Sequence, residues 1–514
     1  MQTCNQRKGL KNVLEYLEDS AKRCPDKVAF EDEKTRCTYK ETLAMSRRIG
    51  SALAELTEVR RPIPVLGEKS VETVQTFFGI VHAGCFYVLL DPKQPASRLK
   101  QILKTLEAET LIVMSEDHRK VSDMLEFGGK ILSYGQLSEA EENQSVLEKI
   151  RTNAADTDPL YVNFTSGSTG IPKGVVVSHR SVIDFMEYFP ELFDITENDV
   201  IGNQAPFDFD VSVKDIYSTV KTGATMVMIP KQYFSFPTKL LDYLCERNVT
   251  TLIWAVSAVC IISTLKGFEY KVPEKVNKVL FSGEVMPIKH LNIWRKYLPE
   301  AQFVNLYGPT EITCNCTYYK IEREFEKGDV LPIGVPFPNE KVFLLDEEEE
   351  LVKEAYKKGE LCVAGTALAL GYYQAPEQTR KAFVQNPLNP YYPEMIYRTG
   401  DLAYYNEDGE LCYASRKDFQ IKHMGHRIEL GEIETAMDRI DAIVRACCVF
   451  YEEKKRILAF YEGEIEKKEI VQALSKILPP FMIPNTFYKR EHLPVTKNGK
   501  IDRKALMQEA GIVK

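Results

Sequence analysis

Between Phe164 and Gly174 the chain reads Phe164-Thr165-Ser166-Gly167-Ser168-Thr169-Gly170-Ile171-Pro172-Lys173-Gly174, with three glycines, four hydroxyls and a lysine in eleven residues. This mixture suits an oligophosphate. Glycines let backbone N–H groups close on anionic oxygens, hydroxyls donate further hydrogen bonds, and a lysine supplies compact positive charge. No Gly-Lys-Ser/Thr closes the run, so it is not a Walker A loop. By composition alone it also reads as a flexible linker.

Two more polar segments sit where strand-like runs end: Ser282-Gly283-Glu284, and Tyr307-Gly308-Pro309-Thr310-Glu311. The runs that carry them alternate strand with helix over 225–229, 238–247, 251–256, 257–266, 278–282, 287–298 and 302–306, which reads as βαβαβαβ. Parallel strands need crossover helices, so both faces of the sheet are covered and ligands lie beyond the carboxyl ends of the strands. The two segments then converge in one crevice; the alternative is that both are plain turns. Cys314 and Cys316 stand nearby, but two thiols do not close a zinc site.

The chain opens on an amphipathic helix, with Asn12 ahead of Val13, Tyr16, Leu17 and Ala21, and Glu15 three residues on as in a capping box. After Asp346-Glu347-Glu348-Glu349-Glu350 it regains turn-and-strand character, and near Arg416-Lys417 it changes again. Past Gly431, the residues Ile433, Ala436, Met437 and Ile440 keep helical spacing, the mark of a short helix with one buried face. The expected fold class is α/β. An N-terminal region over 1–415 carries parallel-rich sheets covered by helices, a hinge spans 416–418, and a small mobile α+β lid domain occupies 419–514.

Composition sets the outer bounds. At 514 residues the chain exceeds a single hydrophobic core, and 44% hydrophobic with 27% charged residues is ordinary globular usage. A formal charge of −8 makes nucleic acid a poor partner. The twelve cysteines lack metal-ribbon spacing, and no apolar run reaches a membrane-spanning length. No signal peptide is legible at the N-terminus. These readings predict a cytoplasmic protein with no membrane insertion, monomeric.

The phosphate-binding segment resembles that of the adenylate-forming superfamily, which includes acyl-CoA synthetases, luciferases and the amino-acid adenylation domains of peptide synthetases. Further motifs follow in family order: Ala83 to Pro92, Asn305 to Glu311, Tyr397-Arg398-Thr399-Gly400-Asp401, Ser415 to Lys422 with Gly425 to Glu434, and Asn498-Gly499-Lys500-Ile501-Asp502. The resemblance covers nearly the whole chain. It implies ATP and Mg²⁺ as cofactors, with Thr165, Ser166, Gly167, Ser168, Thr169, Gly170 and Lys173 around the phosphates. Asn305, Gly308, Pro309 and Thr310 border the nucleotide, Tyr307 stacks on adenine, Asp401 binds the ribose and Arg416 contacts the nucleotide. Lys500 bridges substrate carboxylate and α-phosphate, Glu311 helps hold Mg²⁺, Thr165 assists catalysis, and Asp418 is the hinge. In a second pose the 423–428 loop faces the incoming thiol.

Phe209-Asp210-Val211-Ser212-Val213 resembles the segment with the amine-binding aspartate, which favours an amino acid over a plain acid. By motif the side-chain pocket is lined by Val211, Lys214, Trp254, Leu280, Ser282, Gly283, Leu306, Cys314 and Asn315. Trp254 narrows it, and Lys214 either carries its charge out to solvent on its long stem, which keeps a small side chain in the lead, or faces the substrate and needs an anionic or accepting partner there. The chain is similar to stand-alone D-alanine:carrier-protein ligases, although Ser282 stands where those usually have cysteine and Leu370 where adenylation domains commonly have arginine. The resemblance therefore implies activation of D-alanine or another small amino acid and transfer to the phosphopantetheine thiol of a separate carrier protein. Two enzyme alternatives stay open: a stand-alone adenylation enzyme for a polar or acidic amino acid, and an acyl-CoA synthetase. A degenerate nucleotide-binding partner of a synthetase complex is the non-enzyme alternative.

Overall fold

The computed structural model describes residues 9–166, 172–417, 419–495 and 501–512. The predicted βαβαβαβ run is present with near-identical limits: Thr225–Met228, Pro237–Glu246, Thr251–Ala255, Val256–Thr264, Lys278–Ser282, Ile288–Tyr297 and Gln302–Tyr307. The strands pair in parallel, but Val200–Asn203 inserts between Thr225–Met228 and Thr251–Ala255. The sheet has nine strands, closed at each edge by antiparallel pairs.

A second, seven-stranded sheet has Phe86–Leu90 and Pro62–Leu66 at its centre. Each of these strands is buried at all five positions, as a parallel strand covered on both faces must be. Helix Val211–Thr222 lies between the two sheets, and Val211 through Val220 are all buried. Its Tyr217 hydroxyl meets that of Tyr87, from the second sheet, at 3.0 Å. A helix buried on every side has no polar face to spare, so the polar residues it carries must find partners inside the protein. Asp210, Lys214 and Asp215 are such residues.

A five-stranded antiparallel sheet follows, built on the long strand Met395–Tyr405. Beyond it come the hairpin Gln420–His423 with His426–Glu429, helix Leu430–Asp438, and a three-stranded sheet of Ile443–Tyr451, Arg456–Gly463 and Thr486–Lys489. This C-terminal part has its own core, in which Ile433, Ala436 and Met437 pack on Ile457 and Ile470. Ile440, read as helical, lies past the helix end. At the N-terminus the helix is Leu14–Arg23; Glu15 reaches back to the Asn12 N–H at 3.2 Å, while the Asn12 side chain accepts from Leu14 rather than from the third helical residue. Among the described residues no helix is long and apolar enough to cross a membrane, and eleven cysteines are free.

Glu340, at the start of Glu340–Leu345, tests the core electrostatics. Burial raises its carboxyl, the Ala367 N–H at 2.9 Å offsets this only in part, and Asp184 adds to it, so the group titrates at about 8. A folded-state pKa above the ordinary 4.5 means that the folded chain holds an extra proton between the two values, and stability falls as pH rises from 4.5 through 8. Glu340→Gln removes that dependence. Urea melts at pH 5 and pH 8 are expected to show the variant gaining on the wild type by about 1 kcal/mol or more at the higher pH, since a tenfold change in proton affinity is worth about 1.4 kcal/mol.

Candidate active site

Three buried carboxylates, Asp210, Glu311 and Asp401, gather where the sequence places the crevice, beyond the carboxyl ends of the parallel strands. Glu311, in the turn Thr310–Ile312, has no exposed surface. Its Oε1 accepts from the Tyr372 hydroxyl and its Oε2 from Arg427 Nη1, each at 2.7 Å. Burial alone would raise this carboxyl, but Arg427, then Lys173 and the Tyr372 hydroxyl, together outweigh it and hold it down to about 2. Glu311 is therefore ionised at any physiological pH.

Asp401 accepts from Arg416 Nη1 at 2.9 Å and from the Tyr307 hydroxyl. The register Asp401↔Arg416 across adjacent strands sets the first contact. Lys422 Nζ stands over the Tyr307 ring, 5.3 Å from its centre. Asn305 points its amide to the Pro332 carbonyl at 2.8 Å, a contact that ties down the strand end.

Asp210 begins the buried helix, and its carbonyl accepts from the Cys314 thiol at 3.1 Å. Burial pushes its carboxyl up, while the Thr310 hydroxyl, Lys214 and Lys422 pull it down. Cys314 holds φ +77 and Thr313 φ +51, left-handed values that are costly for these residues and are kept by the packing around them. Gly308 makes that packing feasible: a Cβ there would fall 2.5 Å from Asn315 Cα.

Lys214 corrects the expectation that its charge reaches solvent. It has no exposed surface, and its Nζ donates to Asn315 Oδ1 at 2.6 Å, because the helix that bears it is enclosed between two sheets. Burial lowers its pKa against the pull of Cys314, Asp210 and Asp215. Trp254 is a second correction. It packs with Leu252, Val279 and Phe281 on the opposite face of the sheet and donates to the Gly202 carbonyl at 2.7 Å. Strand alternation puts Ile253 instead with Leu280, Leu306 and Cys314, beside Val213 of the buried helix. Val211 and Ser282 are buried, and Gly283 turns the chain at φ +95.

The strands on either side of the glycine- and hydroxyl-rich segment are antiparallel, and Thr165 pairs with Lys173. Thr165 Oγ1 is buried with no hydrogen-bond partner among the described residues, and Lys173 Nζ lies 5.1 Å from the Tyr372 ring centre. Ser166 Oγ donates to the Arg427 carbonyl at 2.7 Å and accepts from the Glu429 N–H at 3.1 Å. Gly167, Ser168, Thr169, Gly170, Asp418 and Lys500 lie outside the described residues.

The resemblance named the 423–428 loop, but sequence reasoning missed the contacts by which it closes the crevice. The hairpin turn Met424-Gly425, both residues at positive φ, projects into it; the Gly425 N–H donates to Glu284 at 3.0 Å, and a Gly425 Cβ would touch Ala255. Behind the hairpin, Arg98 and Glu432 form a buried ion pair at 2.6 Å that joins helix Ala96–Leu106 to helix Leu430–Asp438. Arg427 and Lys422 fell inside the quoted motifs, but nothing in their spacing points to Glu311 or Tyr307.

The family model for AMP-binding enzymes matches residues 17–373. The chain belongs to the AMP-binding enzyme family. It is 34% identical over 511 residues to a mycosubtilin synthase subunit of Bacillus subtilis, covering 96% of this chain but 19% of that one. It is 33% identical over 507 residues to zwittermicin A synthase ZmaJ of Bacillus cereus, covering 96% and 94%. The adenylation domain AlmE of Vibrio cholerae, solved with glycyl-adenosine-5'-phosphate, shares the fold at TM-score 0.85 and 21% identity, over 99% of this chain and all of that one. The chain spans less than a fifth of the length of several synthase relatives that it matches, among them the mycosubtilin synthase subunit and tyrocidine synthase 3 of Brevibacillus parabrevis.

Enzymes of this family use ATP with Mg²⁺. The residues present fit an ion carried in by a nucleotide: Glu311 is an ionised hard oxygen donor, and among the described residues Thr165 Oγ1 is a buried oxygen without a hydrogen-bond partner and no cluster of three acidic, His or Cys ligands exists. Mg²⁺ binds in this way, through one or two carboxylates plus substrate phosphates.

Two glycines separate steric from conformational demands. Gly308→Ala meets backbone at 2.5 Å, whereas Gly283→Ala has open space and only a left-handed φ to tolerate. Urea denaturation is expected to show a loss of about 1–3 kcal/mol or more for the first and about 1–2 kcal/mol for the second.

Proposed function

We propose that the protein activates an amino acid with ATP as its aminoacyl-adenylate and passes it to the phosphopantetheine thiol of a carrier protein. The observation that carries this reading is the convergence of a buried Asp210 with Asp401 and Glu311 on one crevice, with Lys422 close enough to act on both Asp210 and Asp401. Asp210 takes the substrate ammonium, Asp401 the ribose hydroxyls, and Glu311 with Thr165 the Mg²⁺ that neutralises the phosphates. Holding two anions in contact is the main catalytic demand, met by fixed cations in a site closed to water.

The alternation of half-reactions assigns 1–415 as a core and 419–514 as a lid turning at 416–418. With the 420–429 hairpin in the crevice, the present pose suits the second half-reaction. Lys500 serves the first, by resemblance.

The side chain of the substrate reads differently from the sequence expectation. Beside the resemblance to D-alanine ligases, that expectation leaned on a snorkelling Lys214 and a narrowing Trp254, and neither side chain is so placed. An ammonium has three donors, Asn315 takes one, and a buried cation favours an oxygen acceptor. The reading is an amino acid whose side chain ends in a carboxylate, carboxamide or hydroxyl.

Amino-acid-dependent exchange of pyrophosphate into ATP is the test, with D-Ala, L-Ala, Ser, Asn, Asp and Glu compared and a fatty acid as control. Exchange with the fatty acid alone overturns the reading. Lys214→Met is expected to lose the polar substrates selectively, and an unchanged ranking rejects the acceptor assignment. Lys500→Ala is expected to lower exchange by about 10²–10³ while sparing thioester formation from preformed aminoacyl-AMP. Equal losses in both steps reject a turning lid.

A further inference from the structure

We propose that Arg427 is the cation that takes over Glu311 when Mg²⁺ leaves with pyrophosphate, which couples product release to docking of the hairpin. The inference rests on the reading of the crevice as an adenylation site and adds a positioning role for one residue of the lid.

A carboxylate with no exposed surface is tolerable only beside a cation. In the present pose that cation is Arg427, at 2.7 Å from Oε2, with Lys173 further off and Tyr372 giving a neutral hydrogen bond on Oε1. Arg427 is not placed there by a loose side chain. Its own carbonyl is held by Ser166, the next N–H but one is held by the same hydroxyl, and the hairpin turn is held by Glu284. The guanidinium and the hairpin therefore arrive and leave together.

When the hairpin withdraws, Glu311 loses this partner and needs another. A hard dication delivered with ATP supplies it. A guanidinium and a dication repel and want the same oxygen, so each weakens the other's hold on Glu311. Such competition is reciprocal: Mg²⁺ with pyrophosphate loosens the docked hairpin to the degree that the docked hairpin weakens the binding of Mg²⁺ with the nucleotide. It also orders the two half-reactions, because the thiol-accepting pose cannot form until the metal and pyrophosphate have gone.

Hydrogen–deuterium exchange of the 420–429 segment in the full chain reads the docking directly, since the Gly425 and Glu429 N–H groups are protected only when the hairpin is seated. MgCl₂ with inorganic pyrophosphate is expected to speed this exchange in the wild type and EDTA to reverse it. In Arg427→Met the segment is expected to exchange faster at the outset and to respond at least tenfold less. By calorimetry the same variant is expected to bind Mg·ATP at least tenfold more tightly, with thioester formation slowed at least tenfold. Arg427→Lys, which keeps the charge, is expected to restore part of the magnesium response. A hairpin whose protection ignores magnesium pyrophosphate, or a response in Arg427→Met equal to that of the wild type, overturns the proposal. Magnesium coupling without amino-acid-dependent pyrophosphate exchange instead rejects the adenylation reading and leaves the coupling standing.

Discussion

A buried carboxylate must have a cation beside it, and the architecture of this protein around its crevice is largely the answer to that requirement at Glu311. The side chain sits at the end of a parallel strand where two sheets and the C-terminal part meet, with no exposed surface. Water cannot neutralise it there. Its low pKa shows that Arg427 and Lys173 more than repay the desolvation. Because Arg427 belongs to the hairpin and Lys173 to the strand following the phosphate-binding segment, one charge ties together parts of the chain more than a hundred residues apart.

The other two carboxylates solve the same problem in different ways, and the differences match the tasks assigned to them. Asp401 is held by a neighbouring strand, through Arg416, and by Tyr307, so it is rigid before any ligand arrives. Such preorganisation suits a group that orients without reacting. Asp210 is less fully compensated; burial raises its pKa, and the Thr310 hydroxyl, Lys214 and Lys422 offset this only in part. It is the carboxylate most in need of an incoming ammonium.

The enclosure of helix Val211–Thr222 between two sheets is what makes these charges consequential. A surface helix would have let Lys214 and Asp215 turn to water. Here Lys214 must bond to Asn315, and Asp215 to Asn203 at 2.6 Å, with burial pushing the Asp215 carboxyl up to about 7. Asn315 in turn belongs to the strained segment that crosses over Gly308. The pocket is thus assembled from an enclosed helix and a closely packed loop, a good basis for discrimination between side chains.

The sequence by itself determined the parts whose information is local. The alternation of strand and helix from Thr225 to Tyr307 was legible because apolar runs, turn residues and helical periodicity act over a few positions, and the motifs that end at Glu311 and Asp401 singled out two of the three buried carboxylates. Three things were decided only by tertiary structure. Period-two alternation separates Ile253 from Trp254, but which of them faces the substrate depends on which side of the sheet the buried helix packs. The fate of Lys214 was open because a long side chain reaches solvent or not according to what lies over its helix, and a second sheet lies there. The pairing of Arg427 with Glu311 depends on where the whole C-terminal part is seated, a rigid-body arrangement held by Arg98 with Glu432 and by Glu284 with Gly425. No local pattern encodes such an arrangement, because its energy comes from surfaces that are brought together only after each part has folded.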